Sequence, residues 1–301
     1  MKADSKLAKK LETGDFIVTA ELQPRAEANG LATEAALKSL GKGPAAVNVS
    51  DNHHGIAMSS LAASVAVIKS GAEPIYQVVT RDRNRIAIQS DLLGANYLGI
   101  KNILCLSGYH QVLMGYPESA NVYDIDSTQF TEMVTKMSEK GELDNGAKID
   151  GQFSMFVGAV ANPFLKPLEL NILKLNKKAE AGAKFIQTHA VFDVETFSQW
   201  LDGAISEGID KKTAILAGVF PLDSADEAKN LRDTYSDYYV SDAIVERLKK
   251  AGDKDSQKKE GLNICIEIIN KLKKMKGLRG IHILSGGKEE LVPQILAASG
   301  L

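Results

Sequence analysis

Short apolar, β-branched runs alternate with longer stretches of helical period along this chain, and the alternation repeats about eight times. The runs at 16–22, 45–49, 75–79, 102–106, 153–159, 185–188, 214–219 and 280–284 read as strands. Between them, apolar positions recur at helical spacing, most clearly over 31–40, 59–69, 86–98, 167–181 and 194–207. Several of these helices stop at a glycine just before the next strand, as at Leu98-Gly99 and Ala181-Gly182. Glycine takes the left-handed backbone that closes a helix, so the same stop signal recurs at strand entry.

Buried-type strands separated by helices imply a parallel sheet. Eight such units in 301 residues favour an α/β fold closed as a (β/α)8 TIM barrel, one domain over 1–301. An open doubly wound sheet is the alternative, but no Gly-x-Gly-x-x-Gly follows the first strand to support it. Two connections are longer than the rest. Residues 108–127 carry Tyr109, Tyr116 and Tyr123 and are a candidate lid or a plain surface excursion; residues 233–256 are highly charged.

Composition narrows the function classes. Thirty-six basic against 38 acidic residues give a net charge of −2, which offers no surface for nucleic acid. Two cysteines, Cys105 and Cys265, exclude a disulfide framework and a cysteine-based zinc site, and fit a reducing compartment. The first ten residues lack the apolar core of a secretory signal, and no apolar run approaches the ~20 residues of a spanning helix, so a cytoplasmic location is expected.

Barrel enzymes place their chemistry at the carboxyl ends of strands. Those ends carry Glu21, Ser50-Asp51-Asn52, Thr80-Arg81-Asp82, Ser107-Gly108-Tyr109-His110, Asn162, Thr188-His189 and Ser285-Gly286-Gly287. Glu21 closes an apolar strand, where desolvation would raise its pKa toward neutrality, as a general acid requires; the alternative is a structural carboxylate paired with Arg25 or Arg81. Arg81, Arg83 and Arg85 open a helix and are either an anion clamp or an ion-pair cluster bridging loops. Ser285-Gly286-Gly287-Lys288 is either a phosphate loop or ordinary capping. The five histidines match no standard metal-ligand spacing, so no metal is expected.

The stretches Asn48-Val49-Ser50-Asp51-Asn52, Gln77-Val78-Val79-Thr80-Arg81-Asp82-Arg83-Asn84-Arg85, Ala181-Gly182-Ala183-Lys184-Phe185-Ile186-Gln187-Thr188 and Phe192-Asp193-Val194-Glu195 have a shared family order and spacing. From about Phe16 to His282 the chain resembles the methylenetetrahydrofolate reductases, especially their short bacterial form. The resemblance implies a barrel that binds a flavin, FAD or FMN, with Ser50, Gln77, Ser107, Gly108, Asn162 and Lys178 lining its site. It implies Glu21 as the acid that helps open the five-membered ring of a pterin one-carbon carrier, with hydride passing from the flavin. NAD(P)H or an electron-donating partner subunit would supply the electrons, and a homo-oligomer is expected.

Two positions depart from the family pattern. Its usual Gly-Asp is Gly108-Tyr109 here, and its usual Thr-Gln is Thr188-His189. Tyr109, His189 and Arg81 are therefore the expected substrate contacts. Tetrahydrofolate, or a modified carrier such as a methanopterin, is the expected substrate. The alternatives are a folate- or corrinoid-linked methyl-transfer protein and a non-catalytic flavin-binding subunit of an electron-transfer complex.

Overall fold

A computed structural model describes residues 4–301; the first three residues of the N-terminal stretch lie outside it. Eight parallel strands, β1 (Ile17–Leu22), β2 (Ala46–Val49), β3 (Pro74–Val79), β4 (Asn102–Leu106), β5 (Phe156–Ala161), β6 (Phe185–Ala190), β7 (Ala214–Val219) and β8 (Leu278–Ile283), pair in sequence order. The ring closes through β1 and β8, with Ile17 opposite Gly280 and Ala20 opposite Ile283. This is the (β/α)8 barrel that the alternation implies.

Five helices form where the apolar periodicity places them: α2 (Leu31–Ser39), α3 (Ser60–Lys69), α4 (Arg85–Tyr97), α6 (Leu168–Glu180) and α7 (Val194–Ser206). Boundaries move by a residue or two, except at β5, which starts three residues later than its apolar run. After α6, Gly182 has φ +105°, and a Cβ there would meet the Thr135 side chain at 2.3 Å, so this stop admits no other residue. Helix α5 (Ser127–Lys140) carries a capping box from Asp126 and Gln129.

A short first helix, α1 (Lys6–Glu12), closes the amino-terminal end of the barrel. Its Leu7 and Leu11 pack with Ile17, Ile75, Leu104, Phe185 and Leu216. Above that apolar plug the interior turns polar. Thr19, Asn48, Gln187 and His282 are buried and bonded to one another: Gln187 Nε2 donates to Thr19 Oγ1 at 2.9 Å and to Asn48 Oδ1 at 3.0 Å, and Thr19 Oγ1 lies 3.0 Å from His282 Nδ1. A satisfied polar layer of this kind costs little and sets a rigid floor for whatever lies above it.

The connection at 233–256 resolves into the end of α8 (Ala225–Thr234), a coil, α9 (Asp242–Lys250) and the start of α10 (Lys254–Leu272); α11 (Val292–Ser299) ends the fold. Among the described residues, no helix is long and apolar enough to cross a membrane.

Candidate active site

Over the polar floor, at the carboxyl ends of the strands, lies a small cavity of about 90 Å³. Glu21, His53, Arg81, Tyr109, His189 and Tyr238 contribute to its wall. Three loops bring these side chains together, each for a local reason. After β2, Asn52 adopts a left-handed φ of +47° and its Oδ1 accepts from Ala57 N at 3.1 Å, folding His53 and His54 back over the barrel. After β4, Gly108 has φ +84°; its turn aims Tyr109 across the mouth. The coil after α8 brings in Tyr238, which is buried and packs edge-on against Phe220.

Glu21 is buried, and its partner is neither Arg25 nor Arg81. His53 Nδ1 lies 3.4 Å from Glu21 Oε1, while Gln23 Nε2 and Gly286 N donate to Oε2 at 3.2 and 3.4 Å. The expectation of a raised Glu21 pKa is corrected here. Burial alone would raise it, but the hydrogen bond and charge of His53, with smaller contributions from His282 and His54, outweigh burial and lower it to about 2. Burial lowers the pKa of His282 to about 4, and desolvation and then the His53 charge lower that of His54. Glu21 is thus held as a carboxylate beside the His53 imidazole.

Tyr109 and His189, the two residues that depart from the family pattern, meet on a single carboxylate. Tyr109 Oη donates to Asp237 Oδ2 at 2.5 Å, and His189 Nδ1 lies 2.5 Å from the same oxygen. Asp237 is buried. Burial works against its ionisation, yet its bonds to His189 and Tyr109 hold its pKa below the usual carboxylate value. The rings of His53, His54 and Tyr109 stack, with centroids 4.0 Å apart for the histidine pair and 5.4 Å from His53 to Tyr109. Tyr235 completes the aromatic cap, its hydroxyl 3.0 Å from His54 Nδ1.

The remaining expected site residues divide. Gln77 and Gly108 line the cavity. Ser107 is partly buried and its carbonyl accepts from Arg81 N at 3.0 Å. Ser50 is buried with Oγ 3.4 Å from the Leu22 carbonyl. Asn162, which directly follows β5, and Lys178 line a groove of about 380 Å³ beside β5 and α6 that shares Val160 with the cavity. There Asn162 Oδ1 accepts from Phe164 N, and Lys178 Nζ donates to the Val160 carbonyl at 2.6 Å. Burial lowers the Lys178 pKa to about 8.

Arg81 lines the cavity, but its guanidinium is engaged within the protein. It donates to both Asp82 oxygens and to the carbonyls of Tyr109 and Asn52, tying three loops together. Arg83 pairs with Asp51 and Asp91, and Arg85 with Asp124 and Asp144, so this cluster bridges loops. Lys288 bonds Glu227 and the Pro221 carbonyl, which makes the glycine pair before it part of a structural corner. Among the described residues, no group of three His, Cys, Asp or Glu side chains is placed to hold a metal.

Of the two readings of 108–127, the surface excursion fits its course beyond Tyr109. Beyond Gly108 and Tyr109 this connection contributes nothing to the cavity wall. Val122 N and Tyr123 N donate to the Arg81 and Thr80 carbonyls, which pins it alongside β3. The mouth is covered instead by the coil after α8. Asp237 and Tyr238 were missed in the sequence because a charged connection hid them; the run Tyr235-Ser236-Asp237-Tyr238-Tyr239, dense in aromatics, is the signal that marks them.

With this geometry in place, the family profile described as Methylenetetrahydrofolate reductase matches residues 6–300. The chain belongs to that family. The 5,10-methylenetetrahydrofolate reductase of Escherichia coli K12 is 25% identical over 195 residues, 64% of this chain and 58% of that protein. The probable methylenetetrahydrofolate reductase (NADPH) of Caenorhabditis elegans is 23% identical over 248 residues, 81% of this chain and 34% of that one. The match therefore spans less than two thirds of these relatives' own length. Among solved structures, an uncharacterized protein from Clostridium thermocellum, described as binding two copies of 5-methyl-5,6,7,8-tetrahydrofolic acid, has the same fold. Its TM-score is 0.69 at 14% identity, over 98% of each chain.

Proposed function

We propose that this chain acts on the one-carbon unit of a reduced pterin carrier, in the manner of a methylenetetrahydrofolate reductase, at the mouth of its barrel. One observation carries the reading: a single cavity brings the Glu21–His53 pair together with Tyr109 and His189, the two positions where the family contacts its pterin. The names of the curated relatives support the reaction class, and the ligand of the Clostridium thermocellum protein supports a reduced pterin.

Opening the five-membered ring of a methylene carrier requires a proton on the departing nitrogen. With Glu21 held ionised, the His53 imidazole 3.4 Å away is the group of the pair placed to relay that proton, and Glu21 serves as its buried anionic anchor. Tyr109 and His189 orient the ring, and the buried floor beneath them keeps bulk water from the reacting carbon.

The residues present fit a flavin, which when bound would supply the hydride. The cavity of about 90 Å³ meets the groove of about 380 Å³ at Val160, and cofactor pockets run from roughly 300 Å³ upward. Of the six residues that the resemblance assigns to a flavin, Gln77 and Gly108 line the cavity and Asn162 and Lys178 line the groove. A methyl-transfer protein on the same carrier is the second reading, favoured by the two departures from the family pattern at Tyr109 and His189.

Anaerobic titration of the purified protein with 5-methyltetrahydrofolate, with and without added FAD or FMN, separates the two. A bound flavin that bleaches supports the reductase, and pterin binding without flavin uptake supports methyl transfer. No pterin binding under either condition overturns both.

A further inference from the structure

Tyr109, from the loop after β4, and His189, on β6, have polar atoms that converge on one oxygen of Asp237, 128 residues beyond Tyr109 in the chain. The other oxygen, Oδ1, is buried and has no hydrogen-bond partner among the described residues. Resting on the carrier reading above, we propose that Asp237 is the positioning residue of the pterin site. It reaches Tyr109 and His189, which line the cavity, from the coil after α8 and holds them as two walls for the ring.

The hydrogen bonds define what each wall presents. The Tyr109 hydroxyl is spent on Asp237, so its ring meets the ligand. His189 Nδ1 beside an ionised carboxylate oxygen must carry a proton, since two acceptors would repel at 2.5 Å. Nε2 is the ring nitrogen left without this carboxylate. An aromatic face beside a polar imidazole edge recognises a flat heterocycle that bears hydrogen-bonding groups on its rim, which is the character of a reduced pterin. A merely structural Asp237 would tie the coil down without selecting a tautomer.

The test uses the full chain labelled with 15N, at neutral pH. His189 ring-nitrogen shifts and the 5-methyltetrahydrofolate Kd are measured for wild type, Asp237→Asn and Asp237→Glu. Wild type should show the Nδ1–H tautomer. Asp237→Asn should populate Nε2–H and weaken binding by roughly 10- to 150-fold, the range for losing a hydrogen bond to a charged group. Asp237→Glu, which keeps the carboxylate, should recover most of both. An Nε2–H tautomer in wild type, or unchanged affinity in a folded Asp237→Asn, overturns the proposal. If wild type itself fails to bind the pterin, the carrier reading falls, and the ring-nitrogen shifts alone decide the positioning role.

Discussion

The two long connections at the mouth carry similar numbers of tyrosines and behave differently. The first, after β4, turns at Gly108, places Tyr109, and then runs back along β3, held by backbone bonds to Thr80 and Arg81. Its Tyr116 and Tyr123 are exposed. The second, after α8, buries Asp237, Tyr238 and Val240 and caps the cavity. The difference lies in the partner each finds. The first meets another strand's carbonyls, whereas the second meets apolar and donor groups that only the assembled barrel presents: Phe220, Tyr109 and His189. The active face of this barrel is thus built from strand ends plus one remote coil, and the coil decides how the strand-end residues point.

The largest effect should come from removing the cap. Tyr238→Ala deletes a buried aromatic ring and should cost about 3–5 kcal/mol of unfolding free energy by urea titration, as large aromatic truncations do. A loss below about 1 kcal/mol would mean the coil packs loosely and the contrast between the connections is weak.

Next is the coupling through Asp237. Tyr109→Asp restores the family residue, yet it sets a second carboxylate against Asp237, and like charges so close are unfavourable. Tyr109→Asp alone should therefore weaken 5-methyltetrahydrofolate binding, and Tyr109→Asp with Asp237→Asn should recover it. Equal affinities in the single and double variants would break the link between the coil and the strand end.

The floor gives a pH test. His282 has a folded-state pKa lowered by burial from 6.5 to about 4. Between those values the unfolded chain binds the extra proton, so stability is complete above about pH 6.5 and falls as pH drops toward 4. The expected loss is up to about 3 kcal/mol. His282→Gln should flatten the wild-type decline in urea midpoint between pH 7 and 5, a window above the one in which Glu21 would protonate. The smallest effect belongs to the first connection. Tyr116→Ala should leave stability within about 0.5 kcal/mol and binding unchanged.

The barrel was legible because its signal is local and repeated: Ile103, Cys105 and their equivalents alternate with helical faces that end at glycine. The strand-end residues followed from the barrel. What the sequence hid was pairing at long range. Glu21 was expected to have a raised pKa because its strand is apolar, but the deciding neighbour, His53, arrives from the next strand's loop by way of the left-handed Asn52. Lys178 and Asn162 matched family positions, and α6 and β5 place them in a groove that meets the cavity at Val160. Asp237 escaped because its partners lie 48 and 128 residues away, and the aromatic run around it does not name them.

Hydrogen-exchange mass spectrometry with and without 5-methyltetrahydrofolate tests the central claim most directly. A pterin bound at the capped mouth predicts protection of segments 49–54, 106–110 and 235–240, with 111–122 unchanged. Protection confined to 111–122, or to the groove beside Asn162 and Lys178, would contradict it.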